Sequence, residues 1–162
     1  MGLKGKLIAS TEVKCGGHLI HDLLHTNTHQ AANISPTINH FEVHAGEIGK
    51  VGTIINMKYN EVELGVTPLY LLNLMDTDGQ EKTIKYEIEA IDRYKKSISR
   101  KVISGDLLDF YSSFTIISSC EQQWITWIFD YEKKIENNPE PLNFLDFILN
   151  VTKDIEGHFL KK

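Results

Sequence analysis

The residues predict an α+β fold in which one curved, seven-stranded antiparallel sheet grips a long C-terminal helix. Two observations carry this reading. Residues 82–92 and 124–133 alternate apolar and polar side chains, the period of a strand with one face in water. From Pro141 onward, apolar residues recur at helical spacing over an arc too wide for a helix lying on a flat surface. The length of 162 residues, with 41% hydrophobic and 24% charged, is that of one ordinary globular domain spanning 1–162. A chain of this size buries roughly two thirds of its unfolded surface.

Residues 3–14 read as the first strand. Residues 15–34 break the alternation, with Leu19, Ile20, Leu23 and Leu24 forming an apolar helical stripe. Strands follow at about 37–45, 52–60, 82–92, 95–104, 110–119 and 124–133. In the stretch KTIKYEIEAID, Ile84, Tyr86, Ile88 and Ala90 share one side, and Lys85, Glu87 and Glu89 the other. In WITWIFDYEK, Ile125, Trp127, Phe129 and Tyr131 form an inward row, with Thr126, Asp130 and Glu132 outward. Pro141 fits the first turn of a helix, where a missing N–H costs nothing. Behind it come Phe144, Phe147, Ile148, Val151, Ile155 and Phe159, widened by Leu145 and Leu149. Asn143, Asp146, Asn150, Lys153 and Asp154 take the narrow polar face. Only something concave can cover so broad an apolar arc, and the curved sheet supplies it.

Composition and motifs exclude several functions. The formal charge is −5 and Lys and Arg form no stripe, so no nucleic-acid partner is expected. Cys15 and Cys120 lie far apart and form no CxxC pair, which suits a reducing cytoplasmic setting. The N-terminus lacks a signal-peptide core, Lys6 stands where a myristoylation signal needs Ser or Thr, and VTPLYLLNLM is too short to span a bilayer. His18, His21, His25 and His29 are spaced along one side of a helix, opposite Leu19, Ile20, Leu23 and Leu24. They are read as a solvent-facing row without a metal. In AGEIGKVGT, Val51 follows Lys50 and a strand follows the loop, so this is no phosphate loop; its glycines serve a tight connection. No cofactor is expected.

An ordered set of stretches resembles the plant major latex proteins: GKLIASTEVK, NISP, GKVGTI, EIEAID, VISGDLLDFYSSF, FDYEKK and LDFILNVTKDIEGHFLK. These proteins belong to the birch-pollen-allergen (Bet v 1) and pathogenesis-related class 10 superfamily. The resemblance covers nearly the whole chain. It implies the seven-stranded helix grip, two short helices forming a V with a break near Thr26, and a large internal apolar cavity. Proteins of this kind bind small apolar or amphipathic molecules there, and a minority catalyse steps of specialised metabolism. The family's acidic-aromatic pair in the glycine loop is replaced by Glu47 and Ile48, and Asp109 stands where latex relatives often carry lysine.

With that cavity in place, strand parity puts Ile55, Met57 and Tyr59, Tyr86 and Ile88, and Ile98, Arg100 and Val102 on its wall. Trp127, Phe129, Phe144, Phe147, Ile148 and Val151 complete the expected ligand-binding set. For the helix residues, plain core packing is an equal reading. Arg100 departs from the family, in which its position is usually aromatic and inward. Its guanidinium could anchor a ligand carboxylate, reach water at the mouth, or pair with an internal carboxylate. Between Tyr59 and Asp78, an apolar insertion at about 61–77 makes the connection about sixteen residues longer than a hairpin needs. It reads as a lid, a partner-binding patch, or an unspliced segment. The sequence therefore predicts a cytoplasmic, monomeric carrier of a small apolar or amphipathic plant metabolite or hormone, linked to defence or stress through the resemblance. The alternative is an enzyme, an isomerase or condensing enzyme using the same cavity. A hormone-receptor-like module ranks last, since the receptor relatives' gate sequence is absent.

Overall fold

The computed structural model describes residues 3–61 and 81–161, so the insertion expected at about 61–77 lies, apart from Glu61, outside the described residues. The strands are β1 (Lys4–Glu12), β2 (Ile38–Ala45), β3 (Ile54–Asn60), β4 (Glu81–Asp92), β5 (Ser97–Gly105), β6 (Tyr111–Glu121) and β7 (Trp124–Lys133). The helices are α1 (Gly17–Thr26), α2 (His29–Ile34) and α3 (Leu142–Leu160), with a short 3-10 turn at Asp106–Asp109. All seven strands form one antiparallel sheet in the order β1-β7-β6-β5-β4-β3-β2. Joining the first strand to the last places β1 and β2 at the two edges, bridged in sequence by α1 and α2.

Strand parity holds where the ladder is regular. In β3, Ile55, Met57 and Tyr59 are buried between more exposed neighbours; in β7, Ile125, Trp127, Phe129 and Tyr131 are. It fails at an irregularity in β4. The register shifts between Ile88 and Ala90, so Ile91 opposes Ile98 and packs on the core while Ala90 is exposed. Ala90 therefore does not share the inward side expected for it, because an extra residue in one strand reverses every later side chain. Further shifts occur in the β2–β3 and β6–β7 pairs, and such bulges add the local twist that lets the sheet curl around α3.

Helix α1 begins against the β6–β7 turn. The Gly17 N–H donates to Gln122 O at 2.8 Å, and a Cβ on Gly17 would meet Trp124 O at 2.7 Å, so only glycine allows the approach. The α1 face turned inward consists of Gly17, Ile20, His21, Leu23 and Leu24. His21 is only 6% exposed, which corrects its expected place in a solvent-facing row. The reason is helical geometry: Gly17, Ile20, His21 and Leu24 are spaced i, i+3, i+4, i+7 and form one stripe. His18 and His29 are exposed, as expected. The helix breaks after Thr26, where the Thr26 and Thr28 hydroxyls donate back to Asp22 O and Leu24 O.

Helix α3 starts just after Pro141 and buries Phe144, Phe147, Val151, Thr152, Ile155 and Glu156. Thr152 and Glu156 are the polar members of this buried face. The Glu156 Oε2 accepts the Lys14 N–H just beyond β1, and Lys153 Nζ lies 3.4 Å from Glu156 Oε1. Nearby, Ser35 Oγ donates to Asp154 Oδ2 at 2.6 Å. The polar side of α3 is thus tied to β1 and to the end of α2. At its N-terminal end the helix meets a cluster of rings, with Phe144 at 5.3–5.8 Å between centroids from Phe129, Tyr59 and Phe114. Tyr59 stacks on Phe147 at 4.3 Å.

Candidate functional site

Between the concave face of the sheet, α3 and the α1–α2 break lies a narrow cavity. Space for the centres of water-sized molecules amounts to about 60 Å³. One water needs roughly 10–15 Å³ by that measure, so there is room for a few. Strands β3, β4, β5 and β7 contribute Met57, Tyr86, Arg100 and Trp127, and α3 contributes Phe144, Phe147, Ile148 and Val151. All eight are residues the sequence placed on the wall. The other six lie elsewhere. Ile55, Ile88 and Ile98 line a smaller space beneath the glycine-rich loop, and Tyr59 borders a third at the start of α3. Val102 and Phe129 are buried in the surrounding packing.

Sequence reasoning missed Leu24, Thr28, Ala31, Ile38 and Phe41, which close the cavity from α1, α2 and β2, and also Ile84, Ile116, Thr152 and Ile155. Ile84 and Ile116 carried a usable signal, since strand parity places them with Tyr86 and Phe114. Leu24 stood in the apolar stripe of 15–34, but Thr28 and Ala31 carried no signal, because the orientation of those helices follows from the sheet edges they bridge.

Arg100 is the polar centre of this wall. It is 5% exposed, so it is shielded from bulk water. Its Nη1 donates to Ser118 Oγ at 3.1 Å and, at a long 3.5 Å, to Ile98 O. Its guanidinium carbon lies 5.5 Å from the centre of the Trp127 ring, a cation–π distance. Trp127 is itself fixed, its Nε1 donating to Thr152 Oγ1 on α3 at 3.1 Å. Nη2 is buried without a hydrogen-bond partner, and no carboxylate pairs with Arg100 among the described residues. Burial pulls the Arg100 pKa below its ordinary value, opposed by Tyr86. Burial pushes the Tyr86 hydroxyl up, and the nearby Arg100 charge pulls it back down.

The flanking spaces are of a different character. Beneath the glycine-rich loop, Gly46, Gly49 and Gly52 adopt positive φ angles that side chains disfavour. Thr53 Oγ1 holds that loop by donating to Lys50 O at 2.8 Å and accepting from the Glu47 N–H at 3.1 Å. His25 Nε2 reaches Gly49 O at 3.2 Å, linking the loop to α1. At the start of α3, Lys133 Nζ lies 2.6 Å from Glu140 Oε1, and the Tyr131 hydroxyl donates to Glu140 Oε2. Those two bonds hold the Glu140 carboxyl below the usual carboxylate range. Among the described residues, no group of three His, Cys, Asp or Glu is placed to hold a metal ion, and no helix is long and apolar enough to cross a membrane.

The model of the pathogenesis-related protein Bet v 1 family matches residues 68–162. MLP-like protein 31 of Arabidopsis thaliana is 31% identical across 99% of this chain and 88% of its own length. Major latex protein 146 of Papaver somniferum is 26% identical across 97% and 92%. Among solved structures, ginseng major latex-like protein 151 from Panax ginseng has a TM-score of 0.84 at 36% identity, covering 98% of this chain and 99% of that one. Norcoclaurine synthase from Thalictrum flavum shares the fold at a TM-score of 0.72 and 18% identity, covering 98% and 88%.

Proposed function

The chain belongs to the pathogenesis-related protein Bet v 1 family, among its major latex proteins, and from that premise we propose that it carries or sequesters a small apolar or amphipathic plant metabolite or hormone. The observation that carries this reading is the underfilled apolar space beneath α3, walled by Met57, Phe147, Val151 and Trp127. Packed interiors leave few voids larger than a water, so a space kept open beneath the central helix is a place for a guest. The protein acts in the cytoplasm as a monomeric single domain, and its place in defence or stress rests on its relatives.

A second reading, an enzyme of specialised metabolism working in the same cavity, draws on one observation. Norcoclaurine synthase, an enzyme by its name, has the same fold. General acid–base chemistry would fall to Tyr86, the hydroxyl that borders the space beside a cation.

Native mass spectrometry after incubation with a plant metabolite extract separates these readings. A discrete adduct of small-molecule mass, with the extract otherwise unchanged, is the result expected of a carrier. A bare protein in an extract whose composition has changed would favour the enzyme, and a bare protein in an unchanged extract would overturn both.

A further inference from the structure

Within the binding reading just given, on which this inference rests, we infer that the guest is a small amphipathic carboxylate whose head group takes the unpartnered Nη2 of Arg100, with the Tyr86 hydroxyl as second donor. The physical case begins with the cost of the cation. A guanidinium removed from water is strongly unfavourable unless opposite charge and hydrogen bonds replace its hydration. Among the described residues, Nη1 is met by a neutral hydroxyl and a distant carbonyl, one face by an indole ring, and Nη2 by no hydrogen-bond acceptor.

Ser118 and Trp127 hold the guanidinium in place but bring no negative charge. Ser118 sits on β6 and Trp127 on β7, paired across the two strands, while Thr152 of α3 fixes the indole from the other side. The cation is therefore positioned before any guest arrives, and a guest bearing the counter-charge has only to part the side chains over Nη2 to reach it. Tyr86 is drawn in by placement: it lies on β4 beside Ile88, whose cross-strand partner is Arg100, and both Tyr86 and Arg100 border the cavity. A hydroxyl donor and a guanidinium donor on one wall suit two oxygens on one carbon. Apart from Thr28 and Thr152, whose hydroxyls bond Leu24 O and Ile148 O, the remaining wall is apolar, so the rest of the molecule must be hydrocarbon or aromatic. The order of preference follows from charge: a carboxylate binds best, a neutral alcohol of equal length less well, and a protonated amine worst, since it sets like charge against Arg100 in a poorly screened interior.

Isothermal titration of the intact protein with octanoate, octanol and octylamine tests this order. We expect octanoate to bind at least about tenfold more tightly than octanol, the size of one charge-assisted hydrogen bond, and octylamine to bind weakest. In Arg100→Gln and Arg100→Met the octanoate advantage should vanish while octanol binding persists, which also shows that the variants fold. Tyr86→Phe should lose a smaller part of it. Bound octanoate labelled with ¹³C at its carboxyl should stay ionised to lower pH than free octanoate. Equal affinity for octanoate and octanol in the unaltered protein, or an unshifted carboxyl titration, would overturn the carboxylate inference and leave the carrier reading intact. If none of the three binds, both fall together.

Discussion

The two ends of the grip draw on the same strands and the same helix, yet they are packed by opposite rules. Near the start of α3, Tyr59, Tyr111, Phe114, Phe129, Tyr131 and Phe144 stand ring against ring at centroid distances of 5.3–5.8 Å. Further along, rings such as Trp127 and Phe147 are mixed with aliphatic side chains around an underfilled space, and the wall holds a buried guanidinium with a donor unmet among the described residues. The aromatic end gains area burial and about 0.5–1.5 kcal/mol per ring pair. The cavity end forgoes packing and keeps a cation in an apolar wall. The difference teaches that one end of α3 is anchored ring against ring, while the other keeps a buried cation beside open space.

The largest expected effect lies at the aromatic end. Phe144 is 2% exposed and touches rings from β3, β6 and β7. Phe144→Ala should cost about 3–5 kcal/mol in urea unfolding, as buried Phe truncations do. A loss under about 1 kcal/mol would break the comparison, because it would mean that this end is as loosely filled as the other.

The opposite sign is expected across the cavity. Arg100→Met removes a buried cation that has no carboxylate partner among the described residues and fills its place with an adaptable apolar chain. It should raise stability by on the order of 1–4 kcal/mol, read by the same urea titration. A loss instead would show that the Ser118 bond and the Trp127 contact outweigh the desolvation of the cation, and that the residue is structural after all.

What the sequence made legible, and what it did not, follows the same division. Regular alternation located Met57, Tyr86, Arg100 and Trp127 on the concave face, and helical spacing located Phe147 and Val151, because both are local periods. The reversal between Ile88 and Ala90 was hidden, since nothing local marks an extra residue in one strand. Glu156 and Ser118 were hidden for a different reason. The first is buried because a backbone N–H 142 residues away needs an acceptor, and the second matters because Arg100 on the neighbouring strand needs a partner. The choice among lid, partner patch and unspliced segment for the insertion falls on residues outside those described.

The smallest effect concerns His21, on the inward face of α1 at the cavity end. Burial, followed by the neighbouring charge of His25, lowers its pKa below the ordinary imidazole value, with Lys96 and Arg100 acting in the same direction and Asp22 opposing them. The sign then follows from proton counting. As pH falls through about 6.5, the unfolded chain takes up a proton that the folded protein resists, so acid favours unfolding. This group's penalty is absent above that pH and grows below it. His21→Gln, which keeps a polar side chain without a titrating ring, should therefore lose less stability than the unaltered protein between pH 7.5 and pH 5.5, measured as the shift in urea midpoint. If His21→Gln shows the full acid loss, the proton is taken elsewhere, and α1 is held at this end by packing that is indifferent to charge.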